Sequence, residues 1–123
     1  MLKPNVPAWF EIPAADLARA QRFYEHVTEA VLVREAQGEV EIAAFPHAAP
    51  YPSGALVRSA GRTPSATGSI VYLHLDDIAP ALARARGVGA TVLVPRTALP
   101  GGRGWFAQLI DSEGNRVGLY SPV

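Results

Sequence analysis

The chain has 123 residues, 49% hydrophobic and 18% charged, so it can bury a core and is not a disordered segment. Lys plus Arg balance Asp plus Glu at 11 each, which leaves no global basic field for nucleic acid or an anionic membrane. With no cysteine, disulfides, thiolate metal sites, iron–sulfur clusters and a cysteine nucleophile are excluded.

Met1 to Asn5 lacks a signal-peptide pattern, and no apolar run approaches the roughly 18 residues that span a bilayer. The expectation is a cytoplasmic protein. Val6 to Pro13 is short, apolar and bounded by prolines, and predicts a strand in which Glu11 is the one charge. Asp16 offers a helix N-cap, and Leu17, Ala20, Phe23, Tyr24 and Val27 recur at helical spacing. A helix is predicted over about Asp16 to Val27, with Arg19, Arg22, Glu25 and His26 on its polar side. Strands follow at Ala30 to Arg34, Glu39 to Phe45 and Gly54 to Arg58. Between the last two lies a loop, Pro46 to Pro52, whose three prolines cannot donate to a ladder.

Ser59 to Gly68 is rich in Ser, Gly, Thr and Pro and reads as a linker. After it the order restarts. A strand spans Ser69 to Leu75, Asp76-Asp77 caps a helix from Ile78 to Arg86, and Gly87 to Gly89 stops it. A strand at Thr91 to Val94 is followed by a loop from Pro95 to Gly104. Trp105 to Ile110 and Arg116 to Tyr120 then form a hairpin across Ser112-Glu113-Gly114-Asn115. Shifting the chain by 61 residues lays Asp16 on Asp77 and Ala30 to Val33 on Thr91 to Val94. The predicted fold is therefore α+β: two tandem βαβββ modules, 1–60 and 66–123, in one domain with a cupped, curved mixed sheet.

Trp9-Phe10-Glu11-Ile12-Pro13, Asp16 and Phe23-Tyr24-Glu25 resemble the opening of the vicinal oxygen chelate superfamily, which includes glyoxalase I, bleomycin-resistance proteins and extradiol dioxygenases. Val71 to Ile78, Gly101 to Gly104 and Asp111 to Leu119 resemble its second half more closely. The resemblance implies a cup-shaped cavity, often in a homodimer, and a divalent metal held by two side chains from each module. The matching positions here are Trp9, Ile70 and Gly118, with the fourth near Val57. None of these side chains can ligate a metal, so no metal and no cofactor is expected.

Within that cup, Glu11 shares strand parity with Trp9, and burial there would raise its pKa and suit it to general-base or anchoring work. The plainer alternative pairs it with an arginine. His74 shares parity with Ile70 and Tyr72 and could join Glu11 in proton transfer, or be a strand histidine beside Asp76. Trp9 and Tyr72 are candidate aromatic walls, as is Trp105 or Phe106, between which parity does not choose. Arg103, in a glycine-rich loop that leads into a strand rather than a helix, is a candidate anion contact and not part of a phosphate cradle. His47 sits in the proline-rich loop, and no serine lies in a nucleophile-elbow context.

The expected function is binding of a small organic molecule, with catalytic roles for Glu11 and His74 in the rival reading of a glyoxalase-like lyase or isomerase. A dimeric interaction module without ligand is the third reading. A homodimer is expected, and nucleic-acid or membrane partners are not.

Overall fold

The two halves of the sequence become two copies of one unit in the computed structural model, which describes residues 1–4 and 7–123. Module one contains β1 (Phe10–Pro13), α1 (Leu17–Thr28), β2 (Val33–Gln37), β3 (Val40–Ala44) and β4 (Gly54–Arg58). Module two contains β5 (Tyr72–His74), α2 (Ile78–Gly87), β6 (Val92–Ala98), β7 (Trp105–Ile110) and β8 (Arg116–Ser121). The sheets have orders β1-β4-β3-β2 and β5-β8-β7-β6, with the first strand of each parallel to the last and the other pairs antiparallel. This is the expected pair of βαβββ modules.

Several strand boundaries differ from expectation: β5 covers only Tyr72–His74 of the expected Ser69 to Leu75, β2 runs on to Gln37 rather than Arg34, and three others have a local reason. The first strand begins at Phe10 rather than Val6; Val6 itself lies outside the described residues. The second begins at Val33 rather than Ala30, because Leu32 has its amide bound by Glu25 and its carbonyl by Gln21, both on α1, instead of by a ladder. β6 runs on through Pro95 to Ala98, where a loop was expected. It is an edge strand, and its register shifts between Val92 and Thr97 absorb the proline that an inner strand would reject.

Strand alternation gives each sheet two faces. Ile12, Leu56 and Ala43 of sheet one, and Leu73, Leu119 and Leu109 of sheet two, face the helices. One core joins them with Leu17, Phe23 and Tyr24 of α1 and Ile78 and Leu82 of α2. The helices also pack on each other, and Arg84 of α2 caps α1 through two bonds to the Val27 carbonyl, at 3.1 and 2.9 Å. Both sheets thus turn their second faces away from the helix pair.

The β7–β8 turn locks the modules together. Asp111, only 6% exposed, accepts from the Tyr24 hydroxyl at 2.6 Å, and burial followed by the Asp111 charge pushes that phenol well above its ordinary pKa, so it stays a donor. Asn115 donates to the Pro13 carbonyl at 2.7 Å and accepts from the Ser65 amide at 3.0 Å. Glu113 takes the Asp16 amide at 2.8 Å and both arms of Arg19 at 2.7 and 3.0 Å. Burial raises the Glu113 pKa, but Arg19, that amide and the Ser112 hydroxyl outweigh it and bring the carboxyl down to about 2.

Because this folded pKa lies below the ordinary value of 4.5, the Glu113 contribution is fully present above about pH 4.5 and is lost as pH falls through about 2. Glu113→Gln should cost about 1–3 kcal/mol at pH 7 in denaturant unfolding. The difference from the parent protein should shrink as the titration is repeated towards pH 2. A constant difference would mean that the charge is not what holds the turn.

Candidate functional site

The second face of sheet two is aromatic because of its register. Tyr72 lies opposite Gly118, Phe106 opposite Tyr120 and Gln108 opposite Gly118, so all of them, with His74, share one face. Gly118 has no side chain, and the Tyr72 ring occupies that space: a Cβ there would come within 2.2 Å of the ring. Tyr72 meets Phe106 edge-on with centroids 6.3 Å apart, and its oxygen accepts from Gln108 at 2.6 Å. Tyr120 packs edge-on against His74 at 5.1 Å and donates its hydroxyl to the Arg103 carbonyl at 2.9 Å. Tyr72, Leu99, Phe106 and Tyr120 line a depression of about 320 Å³. Its wall is almost wholly apolar, and Tyr72 remains 44% exposed.

The second face of sheet one is different. Ile42, Ala55 and Val57 form a small buried patch there, with Val40 against it. Glu11 shares that face and is held by Arg62 and by the Trp9 indole at 3.3 Å. Sequence reasoning expected burial to raise the Glu11 pKa. Instead the hydrogen bond from Arg62 holds it below the usual carboxylate range, against a smaller opposing effect of burial. The arginine pairing weighed as the plainer alternative is therefore the observed one. Its partner comes from the linker, where composition gives no hint of a specific contact.

The candidate residues do not converge on one point. Glu11 and Trp9 stand with Arg62 on module one, and Tyr72 and His74 stand on module two, with no polar contact between Glu11 and His74 among the described residues. His74 instead borders a groove with Glu29, Asp76, Asp77 and Arg84. Trp105 is not on the aromatic face: it packs on the core side of β7, under the Arg96 guanidinium at 3.6 Å, and Phe106 takes the open side. Arg103 has an exposed side chain, and its carbonyl, not its charge, fixes Tyr120. His26 and His47 are exposed.

Register also corrects one alignment. Glu11 and Tyr72 are equivalent residues 61 apart, and they oppose Ala55 and Gly118. The module-one counterpart of Gly118 is therefore Ala55, not Val57, which lies two residues further along the same face. Ala55 has no donor atom either. Among the described residues, no three His, Asp or Glu side chains are grouped to share a metal ion. Sequence reasoning missed Tyr120 and Leu99 as wall residues, and left Phe106 undecided against Trp105. Alternation along β7 and β8 was visible, but which phase faced outward needed the register with β5.

Residues 9–120 match the Glyoxalase-like domain family, and the chain belongs to it. No functionally curated protein matches the sequence. Among solved structures, a glyoxalase/bleomycin resistance protein from Streptomyces sp. CB03234 is similar with a TM-score of 0.72 and 22% identity, over 92% of this chain and 97% of that one. TnmS3, an antibiotic binding protein from the same organism, is similar with a TM-score of 0.66 and 22% identity, over 94% of each chain. A glyoxalase I mutant from Zea mays is similar with a TM-score of 0.71 and 20% identity, over 95% of this chain but 47% of that one. The chain thus spans about half the length of the maize enzyme. With the family match over residues 9–120, these likenesses of fold support membership of the vicinal oxygen chelate superfamily. No helix among the described residues is long and apolar enough to cross a membrane.

The Glu11–Arg62 pair is partly exposed, with side-chain exposures of 35% and 46%. Such pairs contribute at most about 1 kcal/mol. Glu11→Gln should therefore change the free energy of urea unfolding by less than about 1 kcal/mol. A larger loss would show that the carboxylate carries structural weight beyond the pair.

Proposed function

We propose that the protein binds a small, flat organic molecule against the aromatic face of module two, without a metal. The observation that carries this reading is the 320 Å³ depression walled by Tyr72, Leu99, Phe106 and Tyr120. Open aromatic walls with a few polar groups suit ligands with a planar apolar body. That one neighbour of the same fold is an antibiotic binding protein agrees with a binding role. The side chains of Trp9, Ala55, Ile70 and Gly118 do not fit a metal ion, since none offers a ligand atom and the Tyr72 ring covers Gly118. Ligand binding is favoured over lyase or isomerase chemistry because Glu11 is committed to Arg62 and makes no contact with His74.

The test is a thermal-shift and calorimetric screen of fused-ring acids, amides and phenols, with EDTA present throughout. A ligand at a hundred times its Kd should add about 2.7 kcal/mol of stability. Tyr72→Ala should weaken its binding by about tenfold or more, a loss of about 1.4 kcal/mol. A screen in which no compound raises the melting temperature would overturn the reading.

A homodimer is the second part of the proposal. Tyr72, Trp9 and Val33 are 44%, 42% and 59% exposed on the two faces turned away from the helices, which leaves apolar surface for another copy to cover. Light scattering at micromolar concentration should give about twice the chain mass of 13.1 kDa. A mass of a single chain would contradict it.

A further inference from the structure

Among the described residues, Arg116 is a cation without an anion. It lies on the same face of β8 as Gly118 and Tyr120. No carboxylate comes within salt-bridge distance of it among the described residues; the three ion pairs there use Arg19, Arg62 and Arg84. Its one side-chain hydrogen bond is a long one, 3.4 Å from Nη1 to the neutral Gln108 oxygen. Its Nε is sealed from solvent and donates to no acceptor. A buried donor on a charged group left unmatched costs stability, and folded proteins keep few of them.

Beside Arg116 is a crevice of about 240 Å³ at the seam between the modules. Asn115, Thr63, Ser65 and Ser69 supply polar lining. Glu11 lines it too, but its charge is matched by Arg62. With those two cancelling, the guanidinium of Arg116 leaves one uncompensated positive charge at the crevice. The crevice is linked to the aromatic face by a short chain of contacts: Arg116 to Gln108, and Gln108 to the Tyr72 oxygen at 2.6 Å. Because Gln108 donates to that oxygen, the Tyr72 proton is free to point at a ligand.

We infer that the seam crevice is an anion subsite in which Arg116 takes the carboxylate of a ligand whose aromatic body lies on Tyr72 and Phe106. The ligand class is thus an aromatic acid. A carboxylate matches the planar fork of a guanidinium and gives charge-assisted bonds roughly twice as strong as neutral ones. The carboxylate matches the positive charge that Arg116 brings to the crevice lining, while Gln108 and Tyr72 orient the ring end. This inference rests on the binding role proposed above and deepens it.

The experiment compares 2-naphthoate with 2-naphthamide, which share a ring system and differ in charge. Calorimetry on the parent protein should show the acid bound at least about tenfold more tightly than the amide. Arg116→Met should abolish that preference. Equal binding of the two probes to the parent protein would overturn the anion subsite while leaving the aromatic site standing. A second measurement does not depend on the aromatic face or on a variant that folds: the Nε–H resonance of Arg116 followed by NMR as acetate is added. A saturable shift of that resonance supports the subsite even if neither naphthyl probe binds, a result that would count against the aromatic site alone. No shift up to high acetate concentration overturns the subsite.

Discussion

Asp111 is a carboxylate almost wholly buried, and the relation between the modules depends on how it is satisfied. Burying such a charge costs several kcal/mol unless every lone pair finds a donor. Here four donors converge: the amides of Glu113 and Asn115, the Asn115 side chain and the Tyr24 hydroxyl. Three come from its own turn and one from α1 of the other module. The turn is therefore shaped around the carboxylate, and the shaped turn then presents Glu113 to the start of α1 and Asn115 to the end of β1. A five-residue motif that resembles a family signature works in this chain as a joint.

The same economy of contacts recurs at the other end of the helix pair. Arg84 satisfies the Val27 carbonyl near the end of α1, and Ser121 of β8 accepts the first amide of α2. Helix ends leave backbone groups without partners, and these are met by side chains reaching from other elements. Both helices lie on one side of the sheets, and no helix covers the second faces. One carries a small apolar patch beside the Glu11–Arg62 pair; the other is aromatic.

Much of the fold was legible because its signals are local. Asp16 and Asp77 each accept from the first turn of a helix, as N-caps do, and they sit 61 residues apart like the helices they start. The hairpin at 112–115 and the linker after Arg58 follow from turn residues alone. Signals that need a partner were not legible. Leu32 carries an apolar strand-like pattern, yet α1 side chains take its backbone groups. Glu11 looks buried in its own strand, but a hydrogen bond from an arginine 51 residues away lowers its pKa. Trp105 and Phe106 are equivalent by parity until β8 fixes which side of β7 is outward. Arg116 reads as an ordinary hairpin arginine, and only the packed structure reveals that its Nε has no partner.

Gly118 and Tyr72 have a further consequence, for how such a chain can change over generations. The tyrosine ring lies where any side chain at position 118 would have to begin. A glutamate introduced there meets the ring first, and removing the ring first leaves a bare glycine at the centre of the sheet and strips the wall of its largest exposed member. Either single step is a loss, and only the pair together is an exchange of one surface for another. The two positions are therefore coupled by space: a larger residue at 118 is accommodated only together with a change at 72.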